Sequence, residues 1–241
     1  MKTVRKYLIQ IALVGFIMPF LSPVWADDTT DNPVNENTIR VGVSFLHFTA
    51  EAPDLSGTGI GHVPPGTNLV INPTHTAYFS YVRRLSPHFD LEAAFGYPPT
   101  TPIIGKGNSK LGSVPYAGQN LGSADWIAPV FLINYKFFEE DSPFRPFAGL
   151  GVNYTHFGNL ATTPAGNAAF GGPTNVSATN SFGLAADAGV VYRLTDKWSL
   201  WASYALSQVK STLDTNTSGI IRTTSVNFHP ESFTLSVGYS F

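Results

Sequence analysis

The sequence predicts an all-β fold: an eight-stranded antiparallel transmembrane β-barrel with long extracellular loops and short periplasmic turns. Three observations lead there. The N-terminus has the layout of a cleavable secretion signal, the residues after it alternate apolar and polar with a period of two, and the links between those segments alternate short and long. A secreted chain with this alternation can cross a bilayer by closing a sheet, which pairs every backbone group without water.

The signal comes first. Lys2, Arg5 and Lys6 form a basic start, Tyr7 to Ala26 carries no charge, and Val24-Trp25-Ala26 puts small residues where a signal peptidase reads. This divides the chain into a signal peptide, 1–26, and an outer-membrane β-barrel, 27–241. A membrane anchor is the competing reading, but Pro19 and Pro23 interrupt the apolar run.

Eight segments then follow the strand template. Ile39, Val41, Val43 and Phe45 form the first apolar row, and Ala77, Phe79 and Tyr81 the second. The third is the clearest: Phe89, Leu91, Ala93, Phe95 and Tyr97 on one face, Asp90, Glu92, Ala94 and Gly96 on the other. Ile127, Phe131, Ile133, Tyr135 and Phe137 make the fourth, and Ala148, Leu150, Val152 and Tyr154 the fifth. Phe182 to Tyr192, Trp198 to Leu206 and Phe233 to Phe241 complete the set. An even count returns both termini to one side. Short polar links at Arg84–His88, Glu139–Pro143 and Thr195–Lys197 read as periplasmic turns. Long links rich in Gly, Pro, Asn and Thr at roughly 50–72, 98–124, 158–180 and 208–226 read as extracellular loops. Aromatic residues near strand ends, such as Trp126, Tyr135 and Trp198, suit interfacial girdles. The last strand ends on Phe241, in phase with the lipid-facing row, and resembles the signal that the barrel-assembly machinery reads; Tyr239 and Phe241 are its expected carriers. A soluble β-sandwich would share the alternation but not the signal, the loop asymmetry and the terminal Phe together.

Composition removes other classes. Charged residues are 12% of the chain, against roughly 25% in an ordinary soluble domain, and the formal net charge is −2. Phosphate binding needs a basic patch, so no nucleic-acid partner is expected. There is no cysteine, hence no disulfide or thiol chemistry. No metal-ligand spacing is present and no cofactor is expected.

The block Phe144-Arg145-Pro146-Phe147-Ala148-Gly149-Leu150-Gly151-Val152-Asn153-Tyr154-Thr155 resembles the outer membrane protein W (OmpW) family. So do Phe79-Ser80-Tyr81 leading to Leu91-Glu92-Ala93-Ala94, and the ending Ser236 to Phe241. His229-Pro230-Glu231 departs from that family's acidic–proline–aromatic pattern. The resemblance implies an eight-stranded barrel that admits small hydrophobic molecules across the outer membrane, in the group that includes alkane-uptake proteins.

The inward rows can be read without the family. Near the periplasmic ends they carry Arg40, Asp90, Glu92, Lys136, Arg145 and Arg193, with Asp187 higher. Unpaired charges in a narrow lumen are costly, so these residues are expected to pair into a salt-bridge plug. Taken singly, each is a satisfied interior polar residue. Toward the outside the inward rows turn apolar: Leu46, Phe48, Tyr78, Trp126, Val130 and Phe157. A packed core under the loops and a vestibule open to an apolar ligand explain this equally well; the resemblance favours the vestibule. Pro98 and Pro99 end the third strand and Pro129 sits high on the fourth. Proline donates nothing to a ladder, so the seam there is expected to be weakly paired, either as a lateral exit for small hydrophobic solutes into the lipid bilayer or as a plain end of pairing.

Two other functions compete. A barrel enzyme acting on lipid or protein needs a nucleophile or base with an orienting partner, and His47, His62, His75, His88, His156 and His229 stand in no such arrangement. A structural or adhesive barrel without transport would have a filled lumen beside Trp126 and Phe48.

Overall fold

The computed structural model of the protein describes residues 36–51, 56–57, 67–107, 110–111 and 114–241. The expected signal peptide lies outside the described residues. Eight strands carry the architecture: β1 (Asn37–Glu51), β2 (Thr74–Arg84), β3 (Phe89–Gly96), β4 (Val130–Lys136), β5 (Phe144–Thr162), β6 (Ser181–Arg193), β7 (Trp198–Ser207) and β8 (Ile220–Ser240). Each pairs antiparallel with the next in sequence. β8 returns to β1 through rungs from Thr38↔Ser240 to Glu51↔Asn227, which closes the ring. A closed ring has no edge to leave unpaired in lipid.

Period-two alternation decides what faces out. Leu150 and Phe182 are each 72% exposed, in rows with Val41, Phe79, Ile133, Leu200 and Leu235. The inward positions between them are small and polar: Ser44, Thr76, Ser80, Ser203, Thr234 and Ser236 are buried. Ser44 and Thr234 share a hydrogen bond of 2.9 Å across the β1–β8 seam. Such inversion, apolar out and polar in, suits a lipid surround.

Tight turns join the strands at one end; Leu85 N–H donates to Phe89 O at 2.8 Å and Leu194 N–H to Trp198 O at 2.9 Å. Asn37 and Phe241 exchange backbone hydrogen bonds at that end, and the Tyr239 and Phe241 rings stack at 6.5 Å. At the other end the described parts of the long links form sheet of their own. Thr100–Lys106 pairs with Asn120–Ile127, Asn68–Ile71 pairs with Thr100–Lys106, and Asn120–Ile127 rides on the upper half of β5. Val209–Thr217 forms a hairpin with the start of β8, turning at Ser218 and Gly219, and Thr174–Ala178 adds to its far edge. β5 has 19 residues, about 60 Å of strand, where a tilted span needs only about 9–11 residues. The surplus builds a wall above the membrane. The helix α1 (Pro164–Phe170), N-capped by Thr163 Oγ1 accepting from Gly166 N–H at 2.9 Å, packs as a cap on the Asn120–Ile127 strand. Under that cap Tyr116, Leu121, Ala169 and Phe170 form a buried cluster with Leu69 against it.

Candidate ligand cavity

The lower lumen is closed by charge. Arg40 donates to Glu92 at 2.5 Å, Tyr78 OH donates to Glu92 Oε1 at 2.7 Å, and Asn134 Nδ2 donates to Glu92 Oε2 at 2.9 Å. Lys136 pairs with Asp90 at 2.7 Å. The Arg40 guanidinium also lies 4.3 Å from the Trp201 ring, which packs on Phe147 and Val191. Four strands therefore meet in one charged, hydrogen-bonded layer with an aromatic layer beside it.

Three of the expected plug residues sit elsewhere than in ion pairs. Arg145 donates to the carbonyls of Phe137, Phe138 and Pro87, so it clamps turn backbone and forms no ion pair among the described residues. Arg193 is exposed and donates to the carbonyls of Glu140 and Asp141; its position is in phase with the lumen but too low to enter it. Asp187 has no ion-pair partner among the described residues and faces upward into open space. Sequence reading missed Asn134 and Trp201, because amides and aromatics on inward rows carry no charge to flag them.

Above that layer lies a cavity of about 190 Å³. An apolar cavity of roughly 150 Å³ can hold benzene. All six expected vestibule residues line it: Leu46, Phe48, Tyr78, Trp126, Val130 and Phe157. Tyr78 marks the boundary, its ring in the cavity and its hydroxyl in the charged layer. Phe48 and Trp126 meet edge-to-face at 5.9 Å, and Trp126 Nε1 donates to Thr101 Oγ1 at 3.0 Å, leaving its ring face for the cavity. Other apolar lining residues were missed, among them Leu69, Ile71, Ile103, Leu160, Val209, Leu213, Val226 and Phe228. They belong to the upper ribbons, and the alternations Val209-Ser211-Leu213 and Val226-Phe228 were the available signal.

The wall of the cavity has a break. The β3–β4 ladder ends at Ala94↔Val130, and pairing resumes at Thr100↔Asp125. Between these rungs each side turns away. Gly96 pairs with Tyr78 and Tyr97 N–H donates to Ala77 O at 2.9 Å, while Pro129 O accepts from Tyr154 N–H at 3.1 Å. Pro98, Pro99 and Pro129 flank the break and have no N–H to close it. Asp125 pins its upper end, accepting from Thr100 Oγ1 at 2.5 Å and Asn159 Nδ2 at 2.8 Å. Tyr97, Pro99, Ala128 and Val130 line both break and cavity.

Among the described residues no group of three or more His, Asp or Glu is placed to hold a metal. The OmpW family profile matches residues 108–241. The chain is 32% identical over 141 residues to outer membrane protein W of Vibrio cholerae, covering 58% of this chain and 64% of that protein. It is 29% identical over 146 residues to the dibenzothiophene metabolism operon protein PahQ of Pseudomonas aeruginosa, covering 60% and 61%. In both relatives the match spans less than two thirds of the relative's own length. The crystal structure of the outer membrane protein OprG from Pseudomonas aeruginosa superposes with a TM-score of 0.73 at 19% identity, covering 86% of this chain and 96% of that one. At that identity the likeness speaks for the barrel fold.

Proposed function

The chain belongs to the OmpW family of bacterial outer-membrane β-barrels, and from that premise we propose that it admits small hydrophobic molecules from outside the cell and releases them sideways into the membrane. The observation that carries this reading is an apolar cavity with a sealed floor and a gap in its side. A solute in contact with Phe48, Trp126 and Phe157 cannot pass the Arg40–Glu92 layer without breaking a buried ion pair, which costs several kcal/mol. The break between β3 and β4 offers a route that crosses no backbone hydrogen bond and ends in hydrocarbon. A match to a dibenzothiophene metabolism operon protein supports aromatic solutes, and the cavity volume suits one or two rings. We propose residues 1–26 as the secretion signal and Tyr239 and Phe241 as the strand end read during assembly.

The test is uptake of toluene by cells carrying equal amounts of folded barrel. Wild-type barrel should raise uptake above a strain without it, and Ala128→Trp, which fills the break, should lower the rate severalfold. Equal uptake with the break filled would remove the lateral exit. No gain from the wild-type barrel would remove transport altogether and leave a structural barrel.

A further inference from the structure

The cavity is apolar on most sides but not on all. Asp187 Oδ1, Asn153 Oδ1 and Thr155 Oγ1 have no hydrogen-bond partner among the described residues, and their residues are only 9%, 1% and 2% exposed. All three line the cavity, on the wall made by β5 and β6. A buried acceptor without a donor costs about 1–3 kcal/mol, more when charged, so three on one wall form a stripe that a ligand's donor would relieve.

Asp187 is the lowest and the most demanding of them. Of the three lumen carboxylates, Glu92 holds Arg40 and Asp90 holds Lys136, while Asp187 holds no cation among the described residues. Its neighbour does not help. Asn134 spends its amide N–H on Glu92, which turns its own carbonyl oxygen the other way, over Gly149. A Cβ on Gly149 would lie 2.0 Å from Asn134 Oδ1 and 2.3 Å from Asp187 Oδ1. Glycine thus lets two acceptors converge within reach of one shared donor, with none supplied among the described residues. Well above this pair, at the top of the cavity, the Phe48 and Trp126 rings meet edge-to-face.

Resting on the reading of the cavity as a ligand path, we propose that its preferred occupants are amphiphiles: a one- or two-ring apolar body bearing a primary ammonium head, seated with the head on Asp187. An ammonium has three donors and no acceptor, which complements a wall of acceptors that includes one unpaired carboxylate. The Asn153 and Thr155 oxygens then serve as stations for the head on its way down the wall. The rings of the body rest against Leu132 and Val130, cavity residues whose rungs on β5, Gly151 and Asn153, stand just above Gly149.

The test uses the full barrel in lipid nanodiscs and calorimetric binding at pH 7 of ethylbenzene, 2-phenylethanol and 2-phenylethylamine, each referenced to empty nanodiscs. The amine is expected to bind about tenfold or more tightly than ethylbenzene, with the alcohol between them. Asp187→Asn keeps the shape and removes the charge, and should abolish the preference for the amine over the alcohol. Ethylbenzene and the amine binding equally well to the wild-type barrel would overturn this inference alone; in that case Asp187 carries its own proton and shares it with Asn134. An amine preference that survives Asp187→Asn would overturn it as well. Binding of none of the three compounds would overturn the proposed function itself. The wild-type ranking decides between these outcomes even if the variant fails to assemble.

Discussion

Single side chains separate what alternation can tell from what it cannot. Period two gives the phase of each residue, so Arg40, Asp90, Glu92, Lys136 and Asp187 are legible as inward from the sequence. Phase says nothing of height or partner. Arg193 shares the inward phase, yet it ends at the rim on two turn carbonyls, and Arg145 does the same with three. Glu92 is the centre of the floor because three donors converge on it from three strands. Glu92→Gln should leave Arg40 buried and unpaired and lower unfolding stability by about 3–5 kcal/mol, read as a shift in urea midpoint in lipid vesicles. Phe48 and Trp126 make the complementary case. A charge at either position, as in Phe48→Lys or Trp126→Asp, stands in an apolar path with no partner and is penalised by several kcal/mol. Toluene uptake should fall more than tenfold while the barrel still assembles, since the lipid-facing rows are untouched. Unchanged uptake in both variants would sink the hydrophobic path.

Elements were read well where one face meets lipid and poorly where neither does. The eight spanning segments carry long apolar rows, and all eight form strands. The upper ribbons face water outside and a small cavity inside, so their apolar rows are short and interrupted by Gly, Asn and Thr, which is also loop composition. Val209–Thr217 shows the difficulty. Its inward residues alternate Val, Ser, Leu, Thr, a weak stripe that becomes a cavity wall only when Val226 and Phe228 are set opposite by the hairpin. Arg222 is buried within that ribbon, and desolvation lowers its pKa from the ordinary guanidinium value, while burial raises that of the Tyr116 phenol nearby. A protease distinguishes ribbon from loop. Trypsin added to intact cells should cut at Lys210 and Arg222 at least tenfold more slowly than in the urea-unfolded protein, because both backbones are held in the ladder. Rapid cleavage there would mean that the segment behaves as the loop its composition suggests.

The whole molecule is an inverted protein whose stability depends on where lipid stops. Its outside is a belt of exposed Leu, Ile, Val and Phe bounded by Trp198, Tyr239 and Phe241 at the turn end. The charged layer and the Trp201 layer cross the lower lumen, and the ribbons, with α1 packed on them, wall the upper lumen. This arrangement assigns depths along a single strand. Phe144 begins β5 beside the turn and falls at the interface. Leu150 lies six residues further along the same outward row, roughly 15 Å higher at a strand tilt of about 40°, close to mid-membrane. Leu150→Arg should therefore cost about 2–4 kcal/mol, and Phe144→Arg about 1 kcal/mol or less beyond the lost ring contacts. Both are measurable from urea unfolding in vesicles, with heat-modifiable mobility on gels as the check that each variant has folded. A soluble barrel would show no such gradient, because water would solvate arginine equally at either height. Equal costs at the two positions would mean that the belt does not sit in hydrocarbon, and a cost larger at Phe144 would put the membrane at the wrong end of the strand.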